Sequence, residues 1–581
     1  MIQRALLLFI AAAGVAAAQT PALDEATMKR LGEALGDVNL SIEDLGWDKR
    51  PINDDFRLSC VNETLDHPLT LADRALRAER EFATDPAASA RAAAAWLDVA
   101  AIAAAPTLDA SLVRTVGLPS EFLGPVQSLY HSWRTAEALR QAALAPLSDE
   151  ERDLVKKHGP KLYVDDAEED EAGPLLAAAK KIDLAKLLEA EVVLADAAAL
   201  ARTWISNLAG KQIDSTRFEQ DGVSLEVGGP GPDSHSATLV IDTGGNDSYT
   251  GCSWVVDLGG DDTYRDCGSG LLACGLIVDL AGNDRYLGGD FTEGGAAFGA
   301  ALLLDVAGDD RYEAGQCSQG AGVFGIGMLF DLAGRDAYRG DRFVQGFGGV
   351  RGLGALSDVE GNDTYYAGGK FSHTPLLPEN FQSLSQGFGF GLRGANTSGG
   401  VAILCDHAGN DIYSAEIFGQ GASYWFSLGI LVDSAGHDKY DLYQYGQGAG
   451  IHLSAGVLFD RAGNDAYSCN NGVAQGCGHD WATGLLWDLA GDDYYQGSGL
   501  TQGGANANGI GILIDRAGAD AYSGNHAEVE GFSFASRDTI GLGLMLDLGG
   551  KDKYTSGGKD DSVWTKSNVG VGLDCEEPVE K

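Results

Sequence analysis

Basic residues are scarce in this chain of 581 residues, which has 41 basic residues against 84 acidic ones. The resulting net charge of −43 would repel nucleic acid and an anionic membrane surface, which excludes both as natural partners. Cations and uncharged partners suit this charge better. We therefore expect a glycan or another protein as the partner rather than nucleic acid.

Long apolar runs are missing after the N-terminus. Residues 5–18 are apolar, follow the single charge of Arg4 and end in three alanines, which is typical of a bacterial secretory signal peptide cleaved before Gln19. This run is shorter than the ~20 residues that a membrane-spanning helix needs. The sequence predicts a signal peptide at 1–18 and a mature protein without a membrane span, either periplasmic or extracellular.

Cysteine is present in an odd number, nine, so at least one thiol has no partner within the chain. An oxidising compartment permits disulfides, and Cys469 with Cys477 is the first pair to test. With His452 and His479 they also form the nearest approach to a zinc site. No Cys-x-x-Cys spacing accompanies them, so zinc is not expected.

The region 19–215 lacks a nucleophile motif, a metal-ligand spacing and a phosphate-binding loop. It is rich in Ala, Leu, Glu, Lys and Arg, with apolar residues at helical spacing in 72–82, 89–104, 128–144 and 184–208. Prolines interrupt these segments, which predicts an α-helical domain over 19–215. The acidic run 165–171 is interpreted as a solvated loop or helix face.

Beyond residue 215 the chain repeats itself. The pattern Asp-x-x-Gly-x-Asp-x-Tyr occurs twelve times without a substitution at its four fixed places, and most copies are 26 to 28 residues apart. The interval from Asp358 to Asp406 is 48 residues and holds an insertion around 366–385. The first Asp of the copies stands at Asp242, Asp257, Asp279, Asp305, Asp331, Asp358, Asp406, Asp433, Asp460, Asp488, Asp515 and Asp547.

Each repeat is predicted to form one coil of three short strands. A short apolar run such as 512–514 leads as a strand into the first Asp. That Asp is expected to accept turn N–H groups as an Asx-turn, and the Gly after it to take a positive φ. The second Asp and the Tyr begin another strand. A Gln-Gly pair then opens a Gly-rich return, at Gln319, Gln345, Gln386, Gln420, Gln447, Gln475 and Gln502.

Stacked coils of this kind make a parallel β-solenoid. We predict an α+β multidomain chain with an N-terminal α-helical domain, a parallel β-solenoid (β-helix) of about twelve coils over 216–575, and a tail at 576–581. The twelve tyrosines should stack in a ladder, with Tyr440 beside Tyr467, and the glutamine amides should stack inside the coil. Propeller blades are the alternative, but about 27 residues are few for four strands and their turns.

The segment Gly-Asn-Asp-x-Tyr, as at Gly282 and Gly463, resembles part of the calcium-binding nonapeptide repeat of RTX proteins. That resemblance implies a parallel β-roll with calcium held between turns by Asp carboxylates and backbone carbonyls. This chain departs from the family because one copy occurs per coil of roughly 27 residues instead of every nine. The leading Gly-Gly-x is also usually replaced by Asp-x-Ala or Asp-x-Gly.

Rows of carboxylates about 5 Å apart repel one another and need compensation, either from turn N–H groups or from Ca²⁺. The place between the Gly and the second Asp holds Arg335, His437, Ala519 and Lys551 in four copies. A cation there would replace a metal, so both alternatives stay open. The candidate calcium ligands are Asp279, Asp284, Asp305, Asp310, Asp331, Asp336, Asp460, Asp465, Asp488 and Asp493.

Two classes of function follow from this organisation. The first is an exported structural or binding protein with a rigid solenoid, a glycan or protein ligand, and a helical domain covering the edge of the first coil. The alternative is a polysaccharide lyase or hydrolase, by analogy with other parallel β-helices. The repeat singles out no catalytic residue. Residues that break it are the candidates for the alternative: His373, Glu379, His526, Glu528 and Glu530.

Overall fold

A computed structural model describes residues 22–46, 54–102, 113, 117–164, 169–525, 527–567 and 569–575. The predicted signal peptide, the tail 576–581 and His526 lie outside these residues, as does part of the acidic run. Within the described part of the chain, no helix has the length and apolar character needed to cross a membrane.

Helices occupy the N-terminal region, as its composition predicts. Four of their starts are fixed by side-chain caps, for example by Asp183, which accepts the N–H groups of Ala185 and Lys186, and by the capping box of Ser148 with Glu151. The described helices are α1 (Glu25–Asp37), α2 (Ser59–Asp66), α3 (Thr70–Glu81), α4 (Pro86–Trp96), α5 (Ser120–Leu144), α6 (Asp149–His158), α7 (Lys161–Val164), α8 (Glu169–Ala179), α9 (Leu184–Arg202) and α10 (Ile205–Leu208), with a 3₁₀ turn at Ile42–Asp44.

The rest of the chain winds through two faces in the first coils and through three from Gly270–Leu271 onward, which confirms the predicted β-solenoid. Face A carries the apolar run that ends in the first Asp. Its parallel strands are Val223–Val227, Leu239–Ile241, Trp254–Val256, Cys274–Val278, Ala300–Asp305, Ile326–Asp331, Leu353–Asp358, Val401–Asp406, Leu428–Asp433, Ala455–Asp460, Thr483–Asp488, Ile510–Asp515, Leu542–Asp547 and Gly570–Asp574.

Face B carries the tyrosines. Its strands are Ser234–His235, Ser248–Thr250, Thr263–Arg265, Arg285–Leu287, Arg311–Gln316, Ala337–Arg342, Thr364–Ala367, Ile412–Gly419, Lys439–Gln444, Ala466–Cys469, Tyr494–Gly497, Ala521–Gly524 and Lys553–Tyr554. The predicted insertion adds Ser372–His373 and Leu377–Ser385, which pair antiparallel with each other. The second of these strands also pairs with Ile412–Gly419.

Face C is short and follows the Gln-Gly turn. Its strands are Gly270–Leu271, Ala296–Ala297, Gly322–Val323, Gly389–Phe390, Ser423–Tyr424, Gly450–Ile451, Gly478–His479, Ala505–Asn506, Ser533–Ser536 and Thr539–Ile540. Bridges through Gly348 join the first three of these strands to the others. The coil therefore has the three strands and three corners that the repeat predicts.

Neighbouring coils are in exact repeat register. Asp433 lies opposite Asp460, and Tyr440 lies opposite Tyr467 with ring centroids 4.8 Å apart and planes 1° from parallel. Both ends of face A are closed by an antiparallel strand, Thr216–Gln220 at the start and Val563–Lys566 at the finish. Parallel pairing through every coil rules out separate propeller blades.

The helices that the structure describes do not cover the edge of the first coil, which corrects our expectation. They lie along face A, where α9 packs on Cys274–Val278 and Ala300–Asp305, α3 on Leu428–Asp433 and Ala455–Asp460, and α1 on Gly570–Asp574. The reason is that the outward side chains of face A are apolar. Leu428, Ile430 and Val432, for example, share one hydrophobic core with the helices. Face A is thus buried on both sides, as an unbroken apolar run requires.

The predicted positive φ of the repeat glycine is wrong for the regular coils. Only Gly245 and Gly550, in the first and last copies, have it, at 148° and 131°. Glycine is needed for another reason: a Cβ on Gly463 would lie closer than 3.0 Å to the carbonyl oxygen of Gly436 in the previous coil. The left-handed residues are instead at the Gln-Gly turn, with φ of 51° at Gln447 and 74° at the following Gly448.

Candidate functional site

Two rows of buried aspartates run along the corner between faces A and B. No member is more than 7 % exposed. The first row consists of Asp242, Asp257, Asp279, Asp305, Asp331, Asp358, Asp406, Asp433, Asp460, Asp488, Asp515, Asp547 and Asp574. The second row consists of Asp247, Asp262, Asp284, Asp310, Asp336, Asp363, Asp411, Asp438, Asp465, Asp493, Asp520 and Asp552.

In a regular coil, both carboxylate oxygens of the first-row aspartate are hydrogen-bonded. Oδ1 of Asp433 accepts the backbone N–H of Ala435 at 3.2 Å, which confirms the predicted Asx-turn. Oδ2 accepts the hydroxyl of Tyr413, in the preceding coil, at 2.8 Å. The tyrosine ladder, with centroid spacings of 4.6 to 4.9 Å, therefore also supplies donors to the first row.

The second row is only half satisfied. Oδ1 of Asp438 accepts the backbone N–H of Asp411, in the preceding coil, at 2.6 Å. Oδ2 of Asp438 is buried and accepts no hydrogen bond from an N–H or hydroxyl group of the described residues, and the same holds for Oδ2 of every second-row aspartate. Twelve buried carboxylate oxygens therefore face the corner without a donor, which is a costly arrangement unless something neutralises them.

The predicted ligands come together along this corner. Carboxylate oxygens of Asp279, Asp284 and Asp305 lie within 4.8 Å of one another, and those of Asp305, Asp310 and Asp331 form the next such group. The other predicted ligands, Asp336, Asp460, Asp465, Asp488 and Asp493, occupy equivalent places in the two rows. Whether they bind an ion stays a prediction.

Among the described residues, direct contact between a basic side chain and the rows occurs at one end. His235 stands in the tyrosine place of the opening coil, and its Nε2 lies 2.8 Å from Oδ2 of Asp242. No Lys or Arg of the described residues forms a salt bridge with either row. Burial, with the nearby charge of Asp433, raises the pKa of Asp438 to about 8. The rows therefore need protons or cations.

The residues present fit a hard cation. All donors are oxygens, as Ca²⁺ prefers, and the second row supplies an unpaired one in each coil. The turn glycine also leaves a space bounded by oxygens, since a Cβ on Gly409 would lie 2.5 Å from both carboxylate oxygens of Asp411. The place occupied by Arg335, His437, Ala519 and Lys551 is exposed in those coils, so these side chains do not occupy the corner.

The buried glutamines form a second internal ladder, on the inner side of the Gln-Gly turns. Nε2 of Gln447 donates to the carbonyl oxygens of Tyr440 and Ser468 at 3.2 and 3.0 Å, which fixes the left-handed turn. Glu293 takes the glutamine place at one end and accepts from Gln319 at 3.1 Å. Glu530 takes it at the other end, and pairs with Lys566 at 2.8 Å.

The structure contains neither a disulfide between Cys469 and Cys477 nor free imidazoles at His452 and His479. Cys469 and Cys477 are both free thiols, so the suggested disulfide is not formed. They belong to different hydrophobic clusters. His452 bonds to Asp480 and His479 bonds to Asn506 at 2.8 Å, so both imidazoles already have polar partners. The thiols of Cys252 and Cys267, in adjacent coils, do lie in contact.

The insertion creates a cleft that the repeat did not predict. It has a volume of about 510 Å³ and lies between α7, the insertion and face C. Of the residues that break the repeat, His373 lines it. Glu379 and Glu528 are exposed, and Glu530 is buried against Lys566. The lining includes Tyr163, Arg342, Phe343, His373, Gln382, Phe390, Arg393, Phe418, Tyr424, Tyr445 and His452.

The fold defines a class: a parallel β-solenoid with a helical layer along one face. Comparison of the chain with protein families, curated proteins and solved structures gives no match. A carbohydrate hydrolase of the usual kind needs two facing carboxyl groups. The described residues of the cleft lining include no Asp or Glu. The polysaccharide-acting alternative therefore has no carboxylate pair in the described cleft.

Proposed function

We propose that the protein is an exported structural or binding protein whose solenoid is stabilised by calcium ions along the two aspartate rows. The observation that carries this proposal is the unpaired, buried Oδ2 of all twelve second-row aspartates. The resemblance to calcium-binding repeats and the acidic composition point the same way. In each coil the ligands would be a second-row aspartate and the two nearest first-row ones, such as Asp310 with Asp305 and Asp331.

The face left for a partner is face B. The helices that pack on the solenoid do so mainly on face A, while face B presents outward side chains such as Tyr494 and Ile412, each 44 % exposed. A row of side chains repeated at the spacing of the coils suits an extended partner, either a glycan or a protein. In this proposal calcium makes the coils rigid, and rigid coils hold that row of side chains at a fixed spacing.

Metal analysis and thermal melting test the calcium part directly. We expect the purified mature protein to contain calcium, and its melting temperature to rise more with Ca²⁺ than with Mg²⁺ at matched ionic strength. A calcium concentration of a hundred times Kd should add about 2.7 kcal/mol per independent site. Identical melting curves in Ca²⁺, Mg²⁺ and chelator would show that protons neutralise the rows.

A matched pair of variants localises the effect. Asp438→Asn removes one second-row carboxylate, while Asp441→Asn removes a carboxylate from the outward side of face B in the same coil. The first variant should bind less calcium and show a smaller calcium-dependent shift than wild type. The second should keep both. Equal shifts in the two variants would place the ions elsewhere.

A further inference from the structure

The cleft beside the insertion differs in charge from the rest of the molecule. The chain carries a net charge of −43, yet the charged side chains among the described lining residues are Arg342 and Arg393. Burial lowers the pKa of His373 and His452, so both rings are neutral at neutral pH. The charge that the described lining exposes is therefore the positive charge of Arg393, on a strongly negative protein, which favours an anionic ligand.

The two arginines are held in different ways. Arg342 is 5 % exposed and donates to Oε1 of Gln316 at 2.6 Å and to Oε1 of Gln382 at 2.7 Å. Its guanidinium also lies 4.1 Å from the ring centroid of Phe371. Arg393 is exposed and donates to the hydroxyl of Tyr424 at 3.3 Å. Arg342 is thus a fixed charge in the wall, and Arg393 is a charge that a ligand can reach.

The remaining wall is aromatic. Phe343 and Phe390 lie with ring centroids 6.1 Å apart and planes 26° from parallel, and Tyr163 meets both edge-on at 5.6 and 5.9 Å. Phe418 stands further along the same wall, with His373 edge-on at 5.7 Å. A volume of about 510 Å³ is that of a small-molecule site. Aromatic walls with few polar groups select a flat apolar body.

We propose that this cleft binds a small organic anion with a flat apolar body, an aromatic carboxylate by class. The carboxylate pairs with Arg393 beside the Tyr424 hydroxyl, because a guanidinium binds a carboxylate through two parallel hydrogen bonds. The apolar body lies against Phe343, Phe390 and Phe418. The site is built by α7, the insertion and face C together, so it exists once per chain and does not depend on calcium in the aspartate rows.

The probe is 1-naphthoate, measured by calorimetry on the full mature chain, with its neutral analogue 1-naphthamide beside it. We expect one naphthoate to bind per chain, and the affinity for the amide to be lower by about tenfold or more. Arg393→Gln should weaken naphthoate binding about tenfold and leave the amide unchanged. The control Arg285→Gln, an exposed arginine on face B, should bind both compounds like wild type.

A second variant guards against misfolding. Ala395→Phe adds a ring to the lining and should weaken both probes, with an unchanged melting temperature showing that the fold is intact. Equal naphthoate affinity in wild type and Arg393→Gln would overturn the proposal. Binding of a galacturonate oligosaccharide without binding of naphthoate would also overturn it, in favour of a sugar acid. All titrations are carried out both with calcium and with chelator. Failure of the calcium proposal can then be distinguished from failure of the anion-binding proposal.

Discussion

The first and second aspartate rows contain the same residue at nearly the same burial, yet they differ in their partners. In a regular first-row coil, both oxygens are bonded, one by a turn N–H and the other by a tyrosine of the preceding coil. The second row has one oxygen bonded and one without a described donor. The difference shows that the same buried carboxylate can have both of its oxygens bonded or only one of them, depending on its neighbours.

Changing pH in chelator tests the second row in all coils at once, and we expect the largest effect here. Burial raises the folded-state pKa of Asp438 to about 8, above the unfolded value near 3.8. The folded state therefore binds more protons than the unfolded state between these values, so stability should fall as pH rises from about 4 to 8. Thermal melts across this range measure it. With calcium bound, the pH dependence of stability should be smaller. A melting temperature that does not change with pH in chelator would contradict neutralisation of the second row by protons.

Gly463→Val tests the close stacking that brings the rows together. The new side chain would overlap the backbone of the previous coil and the carboxylate of Asp465, so we expect a loss of about 3 kcal/mol in the free energy of unfolding. Gly231→Val is the control, since a Cβ there meets nothing within 4 Å. Chemical denaturation compares the two. Equal stability would mean that the coils can separate to admit a side chain.

Tyr440→Phe makes one first-row aspartate resemble the second row. It removes the hydroxyl that Asp460 accepts at 2.8 Å, while the ring stays in the ladder. We expect a loss of about 1 to 3 kcal/mol, because a buried carboxylate oxygen loses its donor. Tyr443→Phe, on the outward side of the same strand, should change stability by less than about 0.5 kcal/mol. If both variants melt alike, the hydroxyl does not support the first row.

Asp438→Asn without calcium should have the smallest effect. Asparagine keeps an oxygen for the N–H of Asp411 and replaces the unpaired oxygen by an amide that donates. At pH 8 in chelator we expect a change of less than about 1 kcal/mol in the free energy of unfolding. A loss of several kcal/mol in denaturant titration would mean that the second row is as fully bonded as the first.

Much of the solenoid could be predicted from the sequence because four fixed residues recur in every coil. The repeat predicted that Tyr440 lies beside Tyr467 and that the first aspartate forms an Asx-turn. It did not predict the position of the helices, although the apolar run 428–432 already indicated a strand covered on both sides.

The site was predicted less completely. Both aspartates of each copy were identified, but the repeat could not show which oxygen is left without a donor, because the donors that bond the other oxygens come from the preceding coil. The glycine was assigned to a left-handed turn, whereas the contact that selects it is made between coils. The cleft was missed except for His373, because its lining is drawn from places as distant as Tyr163 and His452 and follows no period.

The antiparallel strands at the two ends of face A decide how large this molecule can become. An open parallel edge would be a template on which another copy could add its own coils, and so form a fibre. Thr216–Gln220 and Val563–Lys566 reverse the chain direction at those edges, so that a further coil cannot continue the register. These two strands stop the addition of further parallel coils to face A. The length of the solenoid is therefore set by the number of its coils, and is roughly 60 Å at ~4.8 Å per coil.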